Sequence, residues 1–251
     1  MEKSRVLLTL ARLAALGMLV RSKGAAWHVC GMLLTALWIG PTLRRNCQWH
    51  GPVLTRFSTT KNEVWLTIDD GPHPESTPAF LEVLDQFGAK ATFFVIGRQV
   101  EEHRALCQTI IERGHSLANH SASHPSAYWW ALPPSRVRWE MEAASDAIRA
   151  AIGERPAFFR PPVGMCSSGV HPAAKDMGLK VVGWSASGAD GCPRAPSAVV
   201  SSILSQISPG AIILLHEGDR ARHRLVTLSL LLRSLRQAGF QCVIPSSADL
   251  S

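Results

Sequence analysis

From Val64 to Ile244 the chain alternates short β-like apolar runs with helical patterns, each closed by Gly or Pro. That rhythm limits the chain more than any other feature, because strand–helix repetition with short apolar strands builds a mainly parallel sheet, open or closed into a barrel. Seven runs read as strands: Val64–Ile68, Ala91–Ile96, Ser116–Asn119, Ala157–Phe159, Lys180–Trp184, Ala211–Leu215 and Phe240–Ile244. Seven units favour a barrel, so the expected fold is α/β, a distorted (β/α)7-type barrel. Between the runs, Thr77 and Pro78 are placed to start a helix that Gly88 stops, and Ser135 is placed to cap a helix ending at Gly153. Leu225, Leu228, Leu232 and Leu235 stripe a last helix before Gly239.

Residues 1–46 are of another kind. They hold the apolar run Val6–Val20, interrupted by Arg12, and the run Ala25–Leu43, in which His28 is the only ionisable group. The second run is long enough to cross a bilayer, so the segment is expected to be a hydrophobic membrane anchor, with a buried core helix as the alternative. Residues 47–62 read as a linker and 63–251 as the functional domain. The expected location is the inner (cell) membrane. Positive charge flanks both ends of the longer run, at Arg21 and Lys23 and at Arg44 and Arg45, so the side on which the domain lies stays open.

The net charge of +7 suggests a polyanion partner until its distribution is examined. Met1–Lys61 carries nine Lys/Arg against Glu2 alone, which leaves 17 Lys/Arg and 18 Asp/Glu for the rest. A near-neutral domain lacks the basic stripe of a nucleic-acid enzyme, and no nucleic-acid partner is expected. The basic excess fits a surface of anionic lipid headgroups. The six cysteines are scattered without a C-x-x-C pair, which supports neither a zinc ribbon nor a dense disulfide scaffold.

The chemistry-bearing residues fall at or just after the strand candidates: Asp69 and Asp70, His120, Arg160, Asp190 and His216. In parallel barrels that end carries the active site. Adjacent side chains of a strand point to opposite sides. One of Asp69 and Asp70 can therefore ligate a metal while the other, reoriented by the Gly71-Pro72 turn, approaches a water. His120 and His124, four apart, add two imidazoles. Two His and one carboxylate suit zinc and also serve iron and other divalent ions. Arg160 can hold a carboxylate in its charged state, and the rigid Pro161-Pro162-Val163-Gly164 backbone can present the Val163 N–H to an oxyanion. His216 is a candidate general acid and Asp190 a candidate for orienting it. Tyr128-Trp129-Trp130 offers either a platform for sugar rings or core packing.

Five motifs in order resemble the polysaccharide deacetylases with NodB homology, carbohydrate esterase family four: Thr67-Ile-Asp-Asp-Gly-Pro72, His120-Ser-Ala-Ser-His124, Arg160-Pro-Pro-Val-Gly164, Trp184 through Asp190, and Leu214-Leu-His216. The resemblance spans about Val64 to Ile244. It implies a distorted barrel and a metal held by Asp70, His120 and His124, most simply Zn2+. It further implies Asp69 as general base held by Arg160, His216 as general acid tuned by Asp190, and Pro161, Val163 and Trp184 on the oxyanion and substrate side. The implied reaction removes an N-acetyl group from an amino sugar in a polysaccharide, a peptidoglycan fragment or a lipid-linked sugar, with acetate as product. An O-acetyl esterase and a non-catalytic sugar-binding barrel at the membrane are the alternatives. Four positions depart from the commonest pattern: Ile68 for Phe, Val163 for Tyr, Gly191 for Trp after Asp190, and Glu217 for Asp after His216.

Overall fold

The computed structural model describes residues 41–218, 221–246 and 249–250, together with Val29, Gly31, Met32, Thr35, Ile39 and Gly40. Most of the segment expected to anchor the chain lies outside the described residues. Among those described, no helix is long and apolar enough to cross a membrane.

Among the described residues from Glu63 onward, eight strands and seven helices follow the expected alternation. They are β1 (Glu63–Gly71), α1 (Ser76–Phe87), β2 (Ala91–Val95), α2 (Gly97–Glu102), α3 (Arg104–Glu112), β3 (Ser116–Asn119), α4 (Pro134–Ile152), β4 (Phe158–Phe159), α5 (Val170–Asp176), β5 (Lys180–Val181), β6 (Ala186–Ser187), α6 (Pro196–Leu204), β7 (Ala211–His216), α7 (Ala221–Gln237) and β8 (Gln241–Cys242). All seven strand candidates coincide with a strand, and β6 is additional. Every strand pairing is parallel, in the order β5-β4-β3-β2-β1-β7-β6, with β8 against the start of β1. No ladder joins β5 to β6 among the described residues, so the fold is an open α/β half-barrel rather than a closed seven-stranded one. The gap is spanned by residues 54–57: Leu54 exchanges backbone hydrogen bonds with Val181 and Gly183, and the Phe57 N–H donates to the Gly210 carbonyl. Val53 and Phe57 are buried there, so this stretch of the segment before β1 is part of the barrel wall.

β1 explains where the site forms. Val64, Leu66 and Ile68 pack outward with Phe93, Val95, Ile213 and the helical layer, while Trp65 packs inward with Phe94, Ala118 and Ile212. Burial on both faces accounts for the nearly unbroken apolar run, each fully buried large side chain contributing roughly 1.5–3 kcal/mol. The period of two then carries Trp65, Thr67 and Asp69 to the barrel interior. A second cluster, including Trp129, Met141 and Phe159, packs beside β4 and β5.

Two helix starts differ from expectation. α1 begins at Ser76 and the Thr77 hydroxyl caps nothing, because it donates to Glu217 and accepts from the His73 N–H. α4 begins at Pro134, with Pro133 as its N-cap and no side-chain cap. The stops hold: Gly88 and Gly153 take the left-handed conformation at φ 61° and 85°, which glycine adopts without a Cβ clash.

Candidate active site

The strand parity that sends Asp69 inward would send Asp70 out toward the helices. Instead β1 bulges between Asp69 and Gly71, and Asp70 takes φ 75°, which swings its carboxylate back over the strand ends. Asp70, and not Asp69, is therefore the reoriented member of the pair. The Gln99 side-chain amide, oriented to donate, reaches the carbonyls of Asp70, Gly71 and Pro72 at 2.7, 3.0 and 3.0 Å and braces the turn.

His120 follows β3, and Ser121 and His124 take positive φ of 70° and 49°, folding the five residues back on themselves. The loop is fastened from below. The Asn119 carboxamide accepts the Ser121 N–H and donates to the Met141 carbonyl and the Ser145 hydroxyl. The Glu140 carboxylate, fully buried on α4, accepts both the Ser123 N–H and the Ser123 hydroxyl, at 2.9 and 2.7 Å. Gly97 lets α2 approach, since a Cβ there would sit 2.9 Å from the Ala144 Cα.

These loops bring Asp70, His120 and His124 together, with one ligand atom of each within 4.8 Å of the others. Asp70 Oδ1 lies 3.6 Å from His120 Nε2 and 3.5 Å from His124 Nε2, and it is buried without a hydrogen-bond partner. A buried, unsatisfied carboxylate oxygen between two imidazole nitrogens is costly unless something fills the space. Asp70, His120 and His124 would together supply the one-carboxylate, two-imidazole donor set that suits a divalent cation. The ring of His120 is set for it: Nδ1 donates to the Arg160 carbonyl at 2.8 Å, which leaves the Nε2 lone pair facing the cluster. Burial, reinforced by His124, pushes the His120 pKa down to about 3, so the ring is neutral at ordinary pH.

Asp69 and Arg160 form a wholly buried pair, Nη1 to Oδ1 at 2.6 Å. The guanidinium is immobilised by Thr67 Oγ1, by the Val182 and Gly183 carbonyls and by the ring of Phe94, 4.1 Å beneath it. Asp69 Oδ2 faces the metal-type cluster, 3.6 Å from His120 Nε2. Burial raises the Asp69 pKa above the ordinary carboxylate range, against the pull of Arg160 and His216, which makes the carboxylate a stronger base.

His216, at the end of β7, is the register partner of Asp69 on β1. Asp190 grips it twice, accepting from the backbone N–H and pairing with Nδ1, both at 2.8 Å. Burial alone would lower the imidazole pKa, but the Asp190 contacts and the charges of Asp69 and Asp70 outweigh it and raise the value to about 9.

The Arg160-Pro-Pro-Val-Gly loop closes another side. Val163 takes φ 59° and ψ 8°, strained for a β-branched residue. Pro161 is buried and accepts the Gly164 N–H, and the half-buried Trp184 ring lies so close to Gly164 that a Cβ there would come within 2.5 Å of it. The aromatic triplet divides: Trp129 is buried and donates to the Met165 carbonyl, while Tyr128 and Trp130 are exposed. Cys47, Cys107, Cys166, Cys192 and Cys242 are all free thiols.

Two buried carboxylates that belong to none of the site roles expected from the sequence, Glu140 and Glu217, support the site. The signal for Glu140 was its place on the apolar stripe of α4 between Val137 and Ala144. Glu217 is buried behind the turn after β1, accepting from Ser76 and Thr77, and burial pushes its pKa up to about 7. Its Oε1 occupies the position of a Cβ on Gly71, which is one reason a glycine stands there.

The α/β half-barrel carries an acid–base pair and an Asp/His/His cluster at its strand ends, where parallel barrels carry their active sites. The chain belongs to the polysaccharide deacetylase family, whose model matches residues 57–182, and so to the hydrolases of non-peptide carbon–nitrogen bonds. It is 37% identical to a chitooligosaccharide deacetylase of a Bradyrhizobium species, covering 71% of this chain and 86% of that one. It is 29% identical to a peptidoglycan-N-acetylglucosamine deacetylase of Bacillus cereus, over 81% of this chain and 96% of that one. A solved peptidoglycan N-acetylglucosamine deacetylase superposes with a TM-score of 0.71 at 27% identity, over 76% of this chain and 89% of the other.

Proposed function

We propose that the protein removes the N-acetyl group of an amino sugar, in a glycan or a lipid-linked saccharide, releasing acetate and a free amine. The observation that carries this reading is the orphaned Asp70 Oδ1 between His120 and His124, with the Arg160-held Asp69 opening onto the same space. Asp70, His120 and His124 would hold a divalent cation, zinc by the donor set, which when bound supplies Lewis acidity toward the amide carbonyl and the attacking water.

The chain's own groups do the rest. Asp69 accepts a proton from water as its oxygen adds to the carbonyl carbon, and the Arg160 fork keeps that carboxylate oriented. Val163 offers its N–H to the developing oxyanion from the turn that follows Pro161 and Pro162. When the C–N bond breaks, its electron pair takes a proton from His216 Nε2, whose other nitrogen is paired with Asp190. Pro161 and Trp184 form the wall against which the acyl group lies. An ester presents the same carbonyl with a better leaving group, so O-deacetylation belongs in the same assay.

Residues 1–46 are read as the anchor that keeps the domain at the cell membrane, and a lipid-linked amino sugar is the favoured substrate there. Two apolar runs flanked by Arg21, Lys23, Arg44 and Arg45 support this. The test is acetate release from acetylated glycans and lipid-linked sugars by the purified protein, its Asp69→Asn variant and a form lacking residues 1–46. Truncation should cut turnover of the lipid-linked substrate far more than that of a soluble oligosaccharide. Equal losses would defeat the lipid assignment, and no acetate from any substrate would defeat the deacetylase reading.

A further inference from the structure

Beside the His216–Asp190 pair lies a cavity of about 480 Å³, lined by Asp190, Arg194, Val199, His223, Arg224 and Thr227. Its chemistry contrasts with the near-neutral domain around it. Two arginines and a histidine line it against one carboxylate, and that carboxylate is spent, since both Asp190 oxygens are engaged by His216. Arg194, which lines the cavity, is held by donating from Nη1 to the Gly188 carbonyl. Arg224 Nη1 donates to the Glu217 carbonyl, whereas its Nε is buried without a partner. A half-buried guanidinium with an unsatisfied donor is costly, and an anion in the adjoining cavity offsets its charge. The first turn of α7 and the Ala195 N-cap of α6 also border the cavity, so helix N-termini add to the same sign of potential.

We propose that this cavity is a subsite for an oxyanion carried by the saccharide close to the scissile amide, held by Arg194, His223 and Arg224. The inference rests on the deacetylase reading and narrows its substrate to amino sugars bearing an acidic group. A phosphate on the sugar and a carboxylate on a neighbouring residue share this chemistry, and the experiment separates them.

Acetate release is measured from a neutral N-acetylglucosamine tetramer, from the same tetramer with a reducing-end phosphate, and from a disaccharide of N-acetylglucosamine with N-acetylmuramic acid. The wild type should favour at least one acidic substrate over the neutral one by about tenfold or more in kcat/KM, as loss of a charged hydrogen bond implies. Preference for the phosphate or for the carboxylate names the source. The Arg194→Gln, His223→Gln double variant should bring the ratio near one, while Arg104→Gln, remote and exposed, should leave it unchanged. Equal kcat/KM on all three substrates, or a preference that survives in the double variant, overturns the proposal. If no substrate yields acetate, the deacetylase reading fails and calorimetry with pyrophosphate decides the subsite by itself. The wild type should then bind at least about tenfold more tightly than the double variant, and equal binding or none overturns the proposal.

Discussion

Asp69 and His216 stand directly across from each other on adjacent parallel strands, as register partners of β1 and β7. The two groups needed at opposite ends of a hydrolytic proton transfer are thus positioned by one backbone ladder and not by flexible loops. Replacing Asp69 with Asn should lower kcat by roughly 10²- to 10⁴-fold, the range for loss of a general base. Acetate release at saturating substrate, with circular dichroism to show that the fold survives, checks this.

The Asp190 contacts hold the His216 imidazole at about 9 instead of its ordinary 6.5. A raised folded-state value stabilises the protein fully below about pH 6.5, and that contribution disappears as pH rises through about 9. The shift corresponds to on the order of 3 kcal/mol. Asp190→Asn should therefore lose stability chiefly at neutral and acid pH, measured by urea denaturation across pH. It should also move the alkaline limb of the activity profile to lower pH.

Arg160 and Asp69 are both out of water, so removing one strands the other. Arg160→Met should destabilise by about 3–5 kcal/mol, the cost of an uncompensated buried charge. The double variant with Asp69→Asn should be less damaged than the single, because the stranded carboxylate is gone. Chemical denaturation of all four proteins of the cycle measures the coupling.

Glu140 touches no metal-type ligand, yet it accepts two hydrogen bonds from Ser123 in the loop that carries His120 and His124. Glu140→Ala should weaken zinc affinity by about 10- to 100-fold, as loss of outer-shell support does. Competition with a chromogenic chelator reads this out, and excess zinc should restore activity.

The strands were legible because β-like runs of three to six residues stand between Gly and Pro stops. β6 was not, because Ala186–Ser187 lies in the small-residue run Ser185–Ala189 and is defined only by its partners Ile213 and Leu214 on β7. The gathering of Asp69, Asp70, His120, Arg160, Asp190 and His216 followed from their placement after successive strands. What strand periodicity does not contain is the turn of Asp70 at φ 75°, since parity alone directs it outward and only the bulge brings it back. The starts expected at Thr77 and Ser135 differ from those observed for a related reason: tertiary demand from Glu217 takes the Thr77 hydroxyl, and Pro133-Pro134 sets the start of α4 without a cap. Openness of the barrel was likewise hidden, because counting strands does not reveal that Leu54 fills the place of a ladder beside β5.

The most direct test is acetate release from an N-acetylglucosamine oligomer before chelation, after exhaustive chelation, and after zinc is returned. Activity should fall to background and recover with zinc, and an Asp70→Asn, His124→Gln variant should not recover. Undiminished acetate release from the metal-free protein would contradict the account.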